Sequence, residues 1–260
     1  MLYSGAAEGA ARESCEGVWM EARLPPRLSI GMCIYARMTQ LDFTAPFEVF
    51  SRIDGAEAHV IARSLDPVKS DTGLAILPTT TLQTCPQPLD ILFIPGGPGH
   101  VDRIEDEEFL SFVRASGAQA RFVTSVCTGS LVLGAAGLLR GYRATTHWTS
   151  MDCLAGFGAI PQHSRVVFDR NRITGAGVTA GIDFALSVAA AVAGEAAAKS
   201  IQLLLEYDPK PPFDAGSPAA AGPELTEAIL KRDPERQRSR LDAIERAVRR
   251  LDEGCFAHER

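Results

Sequence analysis

Short apolar runs alternate with segments of helical spacing along most of the chain, and this alternation constrains the fold more than any other feature. Residues 89–94 and 121–126 are the clearest predicted strands, and Pro95-Gly96-Gly97 ends the first of them. Between them, residues 107–119 have the spacing of a helix with one apolar face. Strands that alternate with helices are typical of a mainly parallel sheet covered on both faces. We therefore predict an α/β fold of that kind.

The same rule assigns the other elements. Further strands are predicted at 28–35, 57–63, 74–78, 143–146, 165–168 and 172–174, and further helices at 47–53, 127–139, 179–192 and 195–207. Thr44 is predicted to cap the helix at 47–53, with Pro46 in its first turn. The stretch 208–223 is rich in Pro, Ala and Gly and is predicted to be a loop.

Three regions of different character follow from this pattern. Residues 28–218 are predicted to form the α/β domain. Residues 1–27 precede any apolar pattern and are predicted to be a poorly ordered tail. Residues 219–260 are predicted to be a charged helical extension, largely solvated, with a break at Asp233-Pro234.

Charge and composition exclude several kinds of partner and site. With 26 basic and 32 acidic residues among 260, the formal net charge is −6, which argues against nucleic-acid and anionic-membrane partners. No apolar run reaches the roughly 18 residues of a membrane span, and Glu8, Glu13 and Glu16 lie where a signal peptide would be basic and apolar. The six cysteines contain no C-x-x-C pair. We therefore expect a cytoplasmic protein with free thiols and no metal.

Cys127 is the strongest candidate for a reactive group. It follows the predicted strand 121–126 directly and opens a helix, so it occupies a sharp turn of the kind that projects a nucleophile clear of a sheet. The N-terminus of the following helix would favour the thiolate, which is the nucleophilic form. The alternative is a buried cysteine in a tight strand-to-helix turn.

Asp42, Gly96 and Gly97 follow other strands of the predicted sheet. The carboxyl ends of parallel strands share one edge, so these residues are predicted to meet Cys127 there. Gly96 and Gly97 could offer backbone N–H groups to a developing negative charge, together with the amide of Thr128. Asp42 lies between Leu41 and Phe43, and a carboxyl group in apolar surroundings can serve as an acid or base. The alternatives are a plain turn for the glycines and a helix cap for Asp42.

Two further residues are candidates with weaker support. Thr128 could orient water or substrate through its hydroxyl, or could simply start the helix. His147 could approach the same edge, or could cap a loop. The residue after Cys127 is not histidine, so the Cys-His pair of peptidase or amidase chemistry is missing.

Five motifs together resemble those of one superfamily. They are Leu41-Asp42-Phe43-Thr44-Ala45-Pro46, Ile94-Pro95-Gly96-Gly97, Val126-Cys127-Thr128-Gly129, Ala144-Thr145-Thr146-His147-Trp148 and Thr179-Ala180-Gly181-Ile182-Asp183. The set resembles the PfpI-like branch of the class I glutamine-amidotransferase-like superfamily. Within that branch it is most similar to bacterial isonitrile hydratases, over about residues 28–218.

The resemblance implies a flavodoxin-like three-layer sandwich with a nucleophile elbow, usually as a homodimer. It also implies hydration of an isonitrile to an N-substituted formamide with no metal or organic cofactor. Carried over position by position, Cys127 would be the nucleophile, Asp42 the acid and base, and Thr128 an essential neighbour. Gly97 would match the backbone-donor position of the superfamily.

Two other functions are compatible with the same motifs. One is the ligand-sensing domain of AraC-type regulators, although only about forty residues follow the fold where a DNA-binding part needs roughly a hundred. The other is a stress-type thiol protein that acts on glyoxals or oxidants, in which a glutamate usually takes the place of Asp42.

Overall fold

A seven-stranded sheet forms the centre of the molecule in this computed structural model, which describes residues 27–257. The strand order is β10-β11-β7-β6-β1-β2-β5, and every neighbouring pair is parallel except β10 with β11. The strands are β1 (Leu28–Cys33), β2 (Ala56–Ala62), β5 (Thr80–Thr81), β6 (Ile91–Ile94), β7 (Phe122–Val126), β10 (Val166–Asp169) and β11 (Arg172–Gly175). The predicted α/β class is confirmed.

Four shorter strands form two ribbons outside this sheet. β3 (Val68–Lys69) pairs with β4 (Ala75–Ile76), and β8 (Arg143–Ala144) pairs with β9 (Ile160–Pro161). The strands predicted at 74–78 and 143–146 therefore exist in part, but neither belongs to the central sheet.

Helices cover both faces of the sheet. They are α1 (Gln40–Phe50), α2 (His100–Arg103), α3 (Glu107–Gln119), α4 (Gly129–Ala135), α5 (Ala180–Ala193), α6 (Glu195–Leu204), α7 (Pro218–Leu230) and α8 (Pro234–Ala257). Phe93 of β6 packs with Phe50 of α1 and Phe184 of α5 on one face. On the other face Leu92, its neighbour in the strand, lies below α3 and α4. The result is the flavodoxin-like three-layer sandwich that was expected.

Helix α1 begins earlier than the sequence suggested. It starts at Gln40, so Thr44 lies inside it and donates to the Gln40 side chain (3.0 Å) instead of capping its N-terminus. Pro46 lies in the second turn, where it has no N–H to donate to the carbonyl of Asp42. Asp42 consequently lies in the first turn of a helix that follows the central strand β1.

The C-terminal segment is less solvated than predicted. Helix α7 has no buried residue, but α8 buries Ala243, Ile244 and Ala247 where it packs on α2 and α4. Because these positions recur at helical spacing, α8 contributes one apolar face to the core. It begins at Pro234, at the predicted break. The predicted disorder of residues 1–27 falls almost wholly outside the described residues.

No helix among residues 27–257 combines the length and apolar composition needed to cross a membrane.

Candidate active site

The elbow at Cys127 is held in place through its backbone. Cys127 has a φ of 56°, a left-handed conformation that is uncommon for any residue except glycine. Its N–H donates to the carbonyls of Gly175 and Ala176, both at 3.0 Å. Its own carbonyl accepts from the Thr146 hydroxyl at 2.8 Å. These bonds fix the turn between β7 and α4 in the expected elbow form.

Close backbone approach brings the end of β6 against this elbow. A side chain at Gly129 would lie 2.2 Å from the carbonyl oxygen of Ile94, so glycine is required for this contact. A side chain at Gly96 would lie 2.5 Å from the Thr128 amide and 2.8 Å from both the Cys127 Cβ and an Asp42 carboxyl oxygen. Gly96 therefore lies where the elbow and Asp42 meet, as the shared sheet edge predicted.

Asp42 is a fully buried carboxyl group beside the cysteine. Neither of its oxygens has a hydrogen-bond partner of ordinary geometry among residues 27–257, although the Cys127 thiol and the Gly96 amide are its polar neighbours. Burial raises the pKa of Asp42 to about 7, and those two neighbours act in the opposite direction. A carboxyl group of this kind gains and loses a proton near neutral pH.

The thiol of Cys127 is neutral at rest, which corrects the prediction that the helix N-terminus would favour a thiolate. The residue is only 5% exposed. Burial, followed by the charge of Asp42, raises the pKa of Cys127 well above its usual range, while the Thr128 amide lowers it. Desolvation and a neighbouring carboxylate thus outweigh the helix N-terminus. Above about pH 7, where Asp42 is ionised, the pair holds one proton, and that proton resides on sulfur.

Thr128 and Gly97 form a clamp of their own. The Gly97 amide donates to the Thr128 hydroxyl oxygen at 3.0 Å, and the hydroxyl lies 3.3 Å from the Gly97 carbonyl oxygen, to which it can donate. The prediction that Gly97 offers its N–H to substrate is therefore not met in this structure, because that N–H is already bonded. The amides of Gly96 and Thr128 instead face the Asp42 carboxyl group and the Cys127 sulfur, the two candidate reactive groups.

The hydrogen bonds of His147 are local. Its Nδ1 bonds the Thr149 hydroxyl at 2.9 Å, and its ring packs on Trp148 at the start of the 3₁₀ helix Trp148–Cys153. Burial lowers its pKa to about 4, so the ring is neutral. It lines a cavity of about 560 Å³ together with Thr146 and Ala176, the residues that bond the elbow backbone. The capping alternative describes His147 better than a role in proton transfer.

Two residues near the site were missed by the sequence analysis. His100, 3% exposed, bonds the Gly97 carbonyl through Nδ1 at 2.7 Å, and its Nε2 has no partner in the described part of the chain. Arg240 of α8 is 8% exposed and bonds Ser150 and Thr149. The available signals were the position of His100 just after the Pro-Gly-Gly turn and an arginine in register with the apolar stripe of α8.

Chemically, the site offers a nucleophile, a group that can move one proton, and two backbone donors. Cys127 can add to an electrophilic carbon while Asp42 accepts and then returns the proton. Within the described part of the chain, no three His, Cys, Asp or Glu side chains are grouped to hold a metal ion.

Comparison with known proteins gives the following matches. The DJ-1/PfpI family model matches residues 28–191. An isonitrile hydratase of Pseudomonas putida is 48% identical over 225 residues, which are 86% of this chain and 98% of that protein. The transcriptional regulator GbdR of Pseudomonas aeruginosa is 29% identical over 69% of this chain, but the match spans only 51% of the regulator. The crystal structure of a ThiJ/PfpI family protein from Pseudomonas syringae superposes with a TM-score of 0.82 at 45% identity, over 91% of this chain and 97% of that one.

Proposed function

This chain belongs to the DJ-1/PfpI family and is an enzyme, and from that premise we propose that it hydrates isonitriles, R–N≡C, to N-substituted formamides. The observation that carries the proposal is the buried contact between the Cys127 thiol and the Asp42 carboxyl group. The Pseudomonas putida relative, matched over nearly its whole length, supports the choice of substrate.

The first step joins sulfur to the terminal isonitrile carbon. Asp42 accepts the thiol proton as the sulfur attacks, and then delivers that proton to the same carbon. The product is a covalent thioimidate, R–N=CH–S–Cys127, and Asp42 is again a carboxylate. The proton on carbon therefore comes from the thiol. The Thr128 amide, directed at the sulfur, stabilises the negative charge that it carries during transfer.

The second step consumes water. Asp42 takes a proton from the water molecule while the oxygen of that water bonds to the thioimidate carbon. Asp42 then passes this proton to the thioimidate nitrogen. As the C–S bond breaks, the remaining hydroxyl proton passes through Asp42 to the departing sulfur. The formamide R–NH–CHO leaves and the thiol is restored. One carboxyl group thus serves as base and acid in both steps, which suits a pKa of about 7.

An isonitrile assay on two variants tests this proposal. Cys127→Ser and Asp42→Asn are each expected to lower formamide production from cyclohexyl isocyanide by about 10²–10⁴-fold or more. Cys85→Ser is the matched control, since Cys85 is also a buried free thiol but lies outside the pair, and it should retain wild-type activity. Full activity in folded Asp42→Asn would contradict the mechanism.

The two alternative functions are separated by parallel measurements. Consumption of methylglyoxal without formamide production would favour a glyoxalase of the same family. Binding of DNA in a gel-shift assay, without turnover of any isonitrile, would favour a regulator.

We further propose that the enzyme works as a homodimer in the cytoplasm. Leu203, Leu204 and Phe213 are 82%, 70% and 80% exposed in the single chain, and apolar surface of this size supports contact with a second copy. The free thiols of the described cysteines support a reducing compartment. Light scattering of the purified protein should give twice the chain mass of 27.8 kDa.

A further inference from the structure

Arg240 is a buried cation that pairs with no carboxylate among residues 27–257. Its guanidinium donates to the Ser150 hydroxyl and to the Thr149 carbonyl, both at 2.9 Å, and the Cys153 thiol is a further polar neighbour. Among the described residues its Nε has no partner of ordinary geometry. A buried charge without a counter-ion is costly, and neutral partners compensate only part of that cost. The position therefore needs an explanation beyond the anchoring of α8.

A short segment links this guanidinium to the elbow. Residues 146–150 end at the groups that Arg240 holds, and they begin at Thr146, whose hydroxyl donates to the Cys127 carbonyl at 2.8 Å. Between these points the Ser150 amide bonds the His147 carbonyl at 2.8 Å. The guanidinium is thus tied through five residues to the backbone that carries the thiol.

The charges around the pair are otherwise poorly balanced. When Cys127 and Asp42 share one proton they carry one negative charge in a buried setting. Other titratable or charged groups that face the pair or the guanidinium are Tyr35, Asp71, His100, His147, Cys153, Asp152 and Arg236. Burial raises the pKa of Tyr35 and lowers that of both histidines, so these three groups are neutral. The charge of Arg240 acts first on the Cys153 thiol and extends to Cys127, where it favours the thiolate.

We propose that Arg240 is a positioning residue whose charge compensates the anionic Cys127–Asp42 pair, so that the C-terminal helix contributes to the electrostatics of the active site. Arg240 does not touch the reacting atoms; it acts on them through its field and through the segment 146–150. The inference rests on the proposed roles of Cys127 and Asp42 but not on the identity of the substrate.

The reactivity of the thiol toward iodoacetamide tests this without any isonitrile. The alkylation rate of Cys127 is measured against pH and localised by peptide mass spectrometry, because Cys153 also lies near Arg240. Arg240→Met should stay folded, since an apolar residue of similar volume often replaces a buried charge without loss of stability. Its Cys127 should react about tenfold more slowly at pH 8, with a midpoint about one pH unit higher.

Two further variants make the result decisive. Arg240→Lys keeps the charge but loses the planar guanidinium fork, and it should react within about threefold of the wild type. Arg249→Gln removes an exposed cation from the same helix and should leave the alkylation rate of Cys127 unchanged.

A folded Arg240→Met with wild-type reactivity would overturn the proposal. If the methionine variant unfolds, the lysine variant alone decides, and slow alkylation in it would show that Arg240 is only an anchor. If alkylation responds as expected but no formamide is made, the proposed substrate is wrong and the role of Arg240 stands.

Discussion

Asp42 combines two properties that seldom occur together: complete burial, and carboxyl oxygens with no hydrogen-bond partner of ordinary geometry among the residues that the structure describes. Burial without full compensation destabilises the charged form, and this is why the pKa of Asp42 rises to about 7. The same property that lets the group exchange a proton near neutral pH should therefore reduce the stability of the fold.

The stability cost of Asp42 is measurable as a function of pH. Because its pKa is about 7 in the fold and 3.8 as the reference value, the native state binds more protons than the unfolded chain between these limits. Stability is thus lost as the pH rises from about 4 through 7. In urea denaturation, the free energy of unfolding of Asp42→Asn should exceed that of the wild type by about 2–4 kcal/mol at pH 8. At pH 4 the two free energies should be almost equal. Equal stabilities at pH 8 would show that the carboxylate is better solvated than the structure indicates.

The rate of isonitrile hydration should depend on the ionisation of Asp42 as well. Asp42 must be ionised to accept the thiol proton, so kcat/KM for isonitrile hydration should rise with pH through a midpoint near 7. The residual activity of Asp42→Asn should lack this limb, whereas Cys85→Ser should keep it. A wild-type profile that is flat between pH 5 and 8 would argue against proton transfer by Asp42.

At the scale of elements, the site is built where β6, β7 and α1 end or begin. The Pro-Gly-Gly turn and the elbow could be predicted from sequence because an apolar run followed by a breaker is a local signal. The start of α1 at Gln40 could not, since Thr44 and Pro46 form a good local N-terminus and only packing against the sheet overrides it. The clamp between Gly97 and Thr128 was also hidden, because it joins groups 31 residues apart.

The contact between β6 and α4 gives a test at this scale. Gly129→Ala would place a methyl group 2.2 Å from the Ile94 carbonyl oxygen and 2.8 Å from that of Pro95, both rigid backbone atoms. We expect a loss of about 2–3 kcal/mol or more in the free energy of unfolding. Gly216→Ala is the matched control, because nothing lies within 4 Å of its added Cβ, and it should be neutral or slightly stabilising. Similar stabilities for the two variants would mean that the turn relaxes easily.

For the whole molecule, the last helix is part of the core and not an appendage. The sequence signals only charge in this region, because exposed acidic and basic residues outnumber the few apolar ones that α8 buries. Its few buried apolar residues pack against α2 and α4, which lie more than a hundred residues earlier in the chain. Long-range packing of this kind cannot be inferred from local patterns.

Two positions on α8, three residues apart, differ strongly in exposure. Ile244 is 6% exposed and Leu241 is 55% exposed. Ile244→Asp should lower the free energy of unfolding by about 3 kcal/mol or more, because it buries an unpaired charge. Leu241→Asp should change it by less than about 0.5 kcal/mol. Thermal or chemical denaturation compares them directly, and equal small effects would indicate that α8 detaches in solution.

The left-handed backbone at Cys127 lowers the stability of the fold at the position that carries the reactive thiol. Glycine would adopt that conformation freely, whereas an L-residue with a side chain incurs about 1–2 kcal/mol there. Laboratory selection for heat resistance alone would accordingly drift toward replacing the thiol at this turn, and the resulting proteins would be more robust and inert. Engineering of this enzyme for thermal stability should therefore keep Cys127 and substitute other positions.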